Sequence, residues 1–360
     1  PVKEVEYMNR NLRNRICVLA ALFMMLLPAG CSWNGETRSR EYANTPKGNF
    51  MALWTIMDEH YCFFDFKKET LGVDWDEVKV RYAASISDDL SDRSLFEILC
   101  KMIGELRDGH VNLTSQYDYG RNWSWKTDHP ANFSKDLQDK YLGTDYIIGG
   151  NGYSYRVLDD NIGYLVVESF ESAMSDNRLN IMFNNMALCN GIIIDIRDNG
   201  GGQLTASESL ASRFTEKKVT VSYTCYKTGP GHNDFSKLYK NELSPAEYDL
   251  RWIKPVVVLT NRGCFSSAND FAFTMKALDN VTLMGDTTGG GGGMPMSSEL
   301  PNGWVVRFSS APTFDADMNH VEAGVAPHIR VDMKDEDIRA GVDTYIESAR
   351  AYINDKLKNF

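Results

Sequence analysis

Two adjacent serines, Ser266 and Ser267, lie where a predicted strand passes into a predicted helix. The strand is the apolar run Val256–Thr260, and residues with helical spacing follow from about Ser267. A strand-to-helix junction directs small side chains and backbone N–H groups at one point, which suits a nucleophile and an anion site. The sequence therefore predicts nucleophilic catalysis by one of these two serines.

A serine nucleophile needs a general base, and the imidazole of histidine is the usual choice. The chain contains His60, His110, His129, His232, His320 and His328. His110 has the best context, because it follows an amphipathic helix and stands next to a glycine in LRDGHVNL. His60 lies in an aromatic helix, which favours a structural role, and His129 and His232 lie in polar loops.

Two glycine runs could line such a site. Asn199 to Gly202 (NGGG) follow the apolar strand GIIIDIR, and their N–H groups could form a nest for an anion. A tight strand-to-helix turn explains the same glycines equally well. The second run, GDTTGGGGGMP, is not a phosphate-binding loop, because no Gly-Lys-Ser/Thr follows it. We interpret it as a mobile loop that lines the substrate site.

The elements that position these residues fall into two predicted regions. Helical spacing dominates residues 48–113, which predicts a small N-terminal helical domain, and residues 114–142 form an irregular connector. Strands and helices alternate over residues 143–360, starting with a hairpin and ending with a helix over 335–357. Near-continuous apolar strands indicate an α/β fold with a largely parallel or mixed sheet and flanking helices.

Five segments occur in an order that carries a family resemblance: LRDGHVNL, IIIDIRDNGGG, NRGCFSSAND, LMGDTTGG and VEAGVAPHI. Together, over about residues 48–332, they resemble peptidase family S41, which includes the tail-specific processing proteases and the tricorn core protease. The resemblance implies a ClpP/crotonase-like α/β core with a mixed sheet. It also implies a serine peptidase that needs no cofactor or metal.

The resemblance also sets the register of the nucleophile. The family places it in N-R-G-T-x-S-A-x-E, so Ser266 is in register and Ser267 is not, and Asn269 stands at the family's Glu. The implied oxyanion hole consists of the N–H of Ser267 and a glycine N–H from Gly201 or Gly202.

The general base divides the family. Processing members use a lysine in G-K-G, but that position is Gly291 here, within a lysine-free loop. Lys276 lies ten helical residues after Ser266, about 15 Å along a helix axis, which is too far. The tricorn-like branch uses a histidine at the position of His110 and an acid at the position of Glu322. The resemblance therefore implies the triad Ser266–His110–Glu322.

The sequence departs from the tricorn-like pattern at two positions. Gly109 stands where a serine precedes the histidine, so Glu322 is expected to reach His110 directly or through water. His328 replaces the family's Asp in G-V-x-P-D, and the sequence offers no reason. Should Glu322 not be the acid, Asp315 and Asp317 are the next candidates.

The N-terminus has the pattern of an export signal. A basic flank precedes the apolar run Ile16–Leu27, and Ala-Gly then precedes Cys31, which resembles a bacterial lipoprotein signal. We expect residues 1–31 to be the signal peptide, with translation starting at Met8, Cys31 to carry the lipid, and residues 32–47 to be a tether. The protein would then be anchored to a membrane of the cell envelope. Pro28 replaces the usual Leu, so a plain secretory signal or an uncleaved anchor stays open.

Composition excludes several other classes of function. The net charge of −11 and the absence of a basic stripe argue against a nucleic-acid partner. The number of cysteines after Cys31 is odd, and no two of them form a C-x-x-C motif. This pattern supports neither a disulfide framework nor a zinc site. Between Val111 and Tyr153 there is no room for the PDZ module that captures substrate C-termini. A short peptide or an unfolded chain is therefore the expected substrate, and the oligomeric state stays open.

Two other functions compete with the peptidase. A catalytically silent S41-like lipoprotein could bind peptide, lipid or glycan, although the joint presence of Ser266, His110 and Glu322 favours hydrolysis. A glycan-binding module could use the tryptophans, which core or loop positions explain as well: Trp54, Trp75, Trp123 and Trp125.

Overall fold

The structure, a computed structural model, describes residues 42–123, 127–247 and 249–358. Its helices are α1 Pro46–His60, α2 Phe64–Leu71, α3 Trp75–Ala83, α4 Asp92–Gly104, α5 Lys135–Leu142, α6 Asp176–Asn185, α7 Leu204–Ala211, α8 Ser267–Lys276, α9 Asp335–Ala340 and α10 Thr344–Lys358. Its strands are β1 Asn112–Thr114, β2 Tyr119–Arg121, β3 Ile147–Gly150, β4 Tyr153–Val157, β5 Gly163–Val167, β6 Ile192–Asp195, β7 Val219–Thr224, β8 Tyr239–Leu243, β9 Val256–Thr260, β10 Val281–Gly285, β11 Gly293–Glu299, β12 Val305–Asp315 and β13 Ile329–Arg330.

The larger sheet has seven strands in the order β13-β10-β9-β6-β5-β4-β3. Strands β13 to β5 run parallel, and β4 and β3 complete the sheet in antiparallel fashion. Strands β6 and β9 are central and fully buried, and burial on both faces accounts for their apolar sequences up to the last residues, Asp195 and Thr260. Because they are parallel neighbours, the turns that follow them meet at one sheet edge. The NGGG turn and the serine turn are thereby brought together.

A second sheet, antiparallel and of six strands, carries the remaining part of the site. Its order is β2-β1-β12-β7-β8, with β11 also paired to β12. Short strand β1 begins two residues after His110 and pairs with both β2 and β12. His110 therefore precedes a strand of the second sheet, whereas Ser266 follows a strand of the larger sheet.

Helices α1 to α4 cover the second sheet. Ser91 caps the N-terminus of helix α4, because its hydroxyl accepts a hydrogen bond from the Ser94 N–H, and the helix buries an apolar face. That face shares one hydrophobic core with side chains of β1 and β12, including Trp304 and Phe308. The described residues form one compact unit. The domain boundaries given above stay a prediction, and the packing itself shows a shared core for the helices and the second sheet.

The strand and helix predictions were correct in kind and less accurate in detail. The hairpin of β4 and β5 is present. The prediction of a single closing helix was wrong. Gly341, with φ of 71°, ends α9, and α10 begins at Thr344. The connector over 114–142 contains β2 and helix α5. The prediction of a mixed-sheet α/β fold with flanking helices is confirmed.

The predicted signal peptide, Cys31 and most of the tether lie outside the described residues. Within the described ranges, no helix has both the length and the apolar character needed to cross a membrane.

Candidate active site

Ser266 occupies the turn between β9 and α8 in a backbone conformation that residues other than glycine rarely adopt. Its φ is 57° and its ψ is −122°. The Ser266 N–H donates to the Gly290 carbonyl at 3.0 Å, and the Ser266 carbonyl accepts from the Asp270 N–H at 2.9 Å. Such a conformation costs on the order of 1–3 kcal/mol and persists where the surroundings enforce it. A strained strand-to-helix turn of this kind presents a nucleophile.

The two adjacent serines have different environments. Ser266 lines an open cavity together with His110. Ser267 is fully buried, and its hydroxyl has no hydrogen-bond partner among the described residues. Only Ser266 is therefore placed to meet a substrate, in agreement with the register that the resemblance implied.

His110 is 3.1 Å from the serine, measured from its Nε2 to Oγ of Ser266. Two contacts hold its backbone: its N–H donates to Oδ1 of Asp108 at 2.7 Å, and its carbonyl accepts from Nδ2 of Asn112 at 3.1 Å. Ser309 donates to the other Asp108 oxygen at 2.9 Å. The imidazole also packs against Phe265, with ring centroids 4.8 Å apart. The serine and the histidine, 156 residues apart, are thus within hydrogen-bond distance.

Burial sets the charge state of this histidine. It lowers the pKa of the His110 imidazole to about 4; Asp108 opposes this shift, and Arg307 and Arg121 add to it. The neutral imidazole, which can accept a proton, is therefore the form present near neutral pH.

The NGGG turn contributes one free amide to the site. The N–H of Gly201 donates to Oδ1 of Asn199 at 2.9 Å, so it cannot also face a substrate. Gly202 lines the cavity with Ser266, and neither its N–H nor that of Ser267 has a hydrogen-bond partner within the described residues. The structure thus favours Gly202 over Gly201, and Asn199 is a positioning residue that the sequence did not single out.

Three residues of the second glycine run, Gly291 to Gly293, form a wall of the same cavity. Gly291 occupies the family's lysine position with a φ of 86°, and a Cβ there would lie 2.6 Å from the Phe265 ring. A lysine would therefore fit only after a rearrangement. No lysine is among the described residues that line this cavity.

Glu322 is buried beneath this glycine wall. Its Oε2 accepts from the Gly292 N–H at 3.1 Å, and its Oε1 accepts from Nζ of Lys67 at 2.9 Å. Burial and Asp108 raise the pKa of the Glu322 carboxyl to about 7, while Lys67 lowers it. The Glu322 carboxylate therefore depends on Lys67 to stay ionised near neutral pH.

The expected contact between Glu322 and His110 is not observed. No hydrogen bond joins them in the described part of the chain, and Nδ1 of His110 has no partner there. The carboxylate next to the histidine belongs to Asp108, which holds the His110 backbone. Lys67 and Gly292 instead hydrogen-bond to the two oxygens of Glu322, and contact between Glu322 and His110 through water stays a prediction.

Two departures from the family pattern receive structural explanations. His328 accepts a hydrogen bond at Nδ1 from the Leu283 N–H at 3.0 Å, so it ties the loop before β13 to the middle of strand β10. Asn269 accepts from the Thr288 hydroxyl at 2.6 Å and donates to the Val321 carbonyl at 3.0 Å. Both side chains fix loops that surround the site.

Known proteins similar to this chain define its family. The model described as peptidase family S41 matches residues 161–331, and that of the tricorn protease C1 domain matches residues 42–104. A crystal structure assigned as a peptidase from Parabacteroides merdae ATCC 43184 is 50% identical, with a TM-score of 0.82. That match covers 86% of this chain and 97% of the other. This chain belongs to peptidase family S41.

Curated relatives of this S41 chain are longer than the chain itself. The carboxy-terminal processing protease CtpA of Bacillus subtilis is 28% identical over 183 residues, which cover 50% of this chain and 37% of the relative. The tricorn protease of Thermoplasma acidophilum is 25% identical over 215 residues, or 58% of this chain and 18% of the relative. The chain thus spans less than half the length of these relatives. The predicted family and its α/β fold are confirmed.

Proposed function

We propose that this chain is a serine peptidase that cleaves peptides or unfolded protein in the cell envelope. The observation that carries the proposal is the 3.1 Å contact between Oγ of Ser266 and Nε2 of His110. It forms at a strained turn, beside two amides that have no hydrogen-bond partner among the described residues. Nucleophile, base and oxyanion donors thereby converge on one cavity, which is the arrangement required for acyl transfer.

The proposed reaction has two halves. Oγ of Ser266 attacks the scissile carbonyl while its proton passes to Nε2 of His110, and the N–H groups of Ser267 and Gly202 stabilise the oxyanion. The imidazolium then gives its proton to the leaving amine, and the C–N bond breaks to leave an acyl-enzyme. Water, deprotonated by the same imidazole, attacks the acyl carbonyl, and the serine leaves with the proton.

Wild-type protein tests the proposal directly. A fluorophosphonate probe should label one serine, and peptide mapping should place the label on Ser266. The untreated protein should degrade unfolded casein, and protein treated with the probe should not. Absence of both labelling and casein cleavage in folded protein would refute the proposed activity.

We propose that Glu322 is the acid of the site. Its negative charge would stabilise the imidazolium, and its hydrogen bond from the Gly292 N–H would position the glycine wall. Glu322→Gln should lower kcat about 10- to 100-fold with little change in KM, because the charge of Glu322 matters mainly when the imidazolium forms.

Lys67→Met should lower the free energy of unfolding by roughly 3–5 kcal/mol, since it leaves the buried carboxyl of Glu322 without its cation. Urea unfolding and steady-state kinetics measure both effects.

The double variant Lys67→Met/Glu322→Gln separates charge from packing. It removes both charges, so it should regain much of the stability lost in Lys67→Met. It should regain none of the activity lost in Glu322→Gln. If Glu322→Gln has wild-type kcat, Glu322 serves only as a structural partner of Lys67 and Gly292.

For the location, we propose attachment through a lipid on Cys31. The support is the sequence pattern alone: an apolar run, small residues and then Cys31. Cys31→Ser should move the protein from the membrane fraction to the soluble fraction of its native host. Mass spectrometry of the purified wild type should find a diacylated N-terminal Cys31. A wild type that fractionates as soluble after loss of its signal would rule out the anchor.

A further inference from the structure

Asp270 lies one helical turn after the proposed nucleophile, on helix α8. It lines the cavity of about 210 Å³ that contains Ser266 and His110. It also lines a larger cavity of about 440 Å³ between α7, α8 and the strands β7 and β8. Both cavities share the same boundary side chains: Leu204, Asp270, Met294 and Thr313. The two cavities are therefore adjacent, and Asp270 lies on the boundary between them.

The Asp270 carboxyl has no cationic partner in the described part of the chain. Its one hydrogen bond comes from the Ser207 hydroxyl at 3.4 Å, which is long. Burial raises the pKa of this carboxyl to about 7; the Ser207 hydrogen bond opposes the shift, and the neighbouring Glu208 adds to it. The negative charge of Asp270 is therefore poorly compensated.

The other charges around these cavities do not neutralise Asp270. Lys240 lies on the wall of the larger cavity, but its ammonium is 2.7 Å from Glu242, which also binds Lys218 at 3.0 Å. Arg307 lines the smaller cavity, and no ion pair links it to Asp270 within the described residues. Asp270 and Glu208 thus line the larger cavity, and neither carboxyl forms an ion pair in the part of the chain that the structure describes.

We propose that Asp270 is a specificity-determining residue that binds the cationic side chain of a lysine or arginine beside the scissile bond. This inference rests on the proposed peptidase function. An ammonium or guanidinium group would form a charge-assisted hydrogen bond with the carboxylate. The apolar stem would pack against Leu204 and Val221, which lie on the same cavity wall.

Peptide profiling tests this specificity. A Glu-C digest of casein supplies peptides with internal lysines and arginines, and mass spectrometry identifies the cleaved bonds. A matched set of synthetic peptides then varies one residue at the preferred position among Lys, Arg, norleucine and Glu. The kcat/KM for Lys or Arg should exceed that for norleucine by about 10- to 100-fold, the range that a hydrogen bond to a charged group provides.

Asp270→Asn should remove this preference, so that the Lys, Arg and norleucine peptides are cleaved with similar kcat/KM. Glu208→Gln is the matched control, and it should retain most of the preference because Glu208 is exposed. In the wild type, the preference should decline as pH falls below about 7, because protonation removes the charge of Asp270. The pH measurement needs no variant and applies even if Asp270→Asn is unstable.

The outcomes distinguish this inference from the proposed function. Cleavage without preference for a basic residue, or a preference that survives in Asp270→Asn, would overturn the role of Asp270 and leave the peptidase intact. No cleavage of any peptide, together with no fluorophosphonate labelling, would overturn the peptidase and this inference with it.

Discussion

Ser266→Ala should abolish fluorophosphonate labelling and lower kcat for peptide hydrolysis by about 10⁶-fold, the loss seen when a serine protease loses its nucleophile. The reason is geometric: Oγ of Ser266 is the hydroxyl within 3.1 Å of the histidine that can accept its proton. Circular dichroism and thermal unfolding should show an intact fold, because the substitution removes one oxygen from a residue at a cavity wall.

Two further variants make this test specific. Ser267→Ala should keep labelling and activity within a few-fold of wild type, because the Ser267 hydroxyl is buried and its N–H is retained. Ser266→Gly should be as inactive as Ser266→Ala yet more stable by about 1 kcal/mol, because glycine adopts a positive φ without strain. A label on Ser267, or substantial activity in Ser266→Ala, would show that another residue is the nucleophile.

Much of this arrangement could be predicted because it depends on local patterns. The apolar runs of β6 and β9 identify buried parallel strands, and their carboxyl ends must meet at one edge. That rule alone brings the NGGG turn to the serine turn. The position of His110 required the family resemblance, because its strand belongs to the second sheet and residues 110 and 266 share no local pattern.

The interactions that were missed are those between distant or buried polar groups. Lys67 and Glu322 are 255 residues apart, and no spacing rule connects a lysine in a short helix to an acid in a loop. Whether the Gly201 N–H can face a substrate depends on whether the side chain of Asn199 accepts a hydrogen bond from it. Only the three-dimensional structure shows that contact. Asp108 could have been found, since an aspartate two residues before an amide commonly accepts a hydrogen bond from it.

His110→Ala should lower kcat as much as Ser266→Ala does, and the double variant should be no slower than either single variant. Nucleophile and base act as one unit, so the effects of removing them do not add. His232→Gln is the control, because His232 pairs with Asp58 and does not line the serine cavity. Full activity in His110→Ala, or an additive loss in the double variant, would exclude His110 as the base.

The pH dependence of kcat/KM tests the same residue through its charge. A base acts only when neutral, so activity is lost as pH falls through its pKa. An exposed histidine would place that loss near pH 6.5, but burial lowers the pKa of His110 to about 4. The limb that His110 sets should therefore lie well below pH 6, not at 6–7 as an unperturbed imidazole would give. Burial raises the pKa of Glu322 to about 7, so a partial loss of activity, equal in size to that caused by Glu322→Gln, should occur near pH 7. Glu322→Gln should abolish this partial loss and keep the limb below pH 6. Complete loss of activity near pH 7 in Glu322→Gln would exclude a base with the lowered pKa of His110.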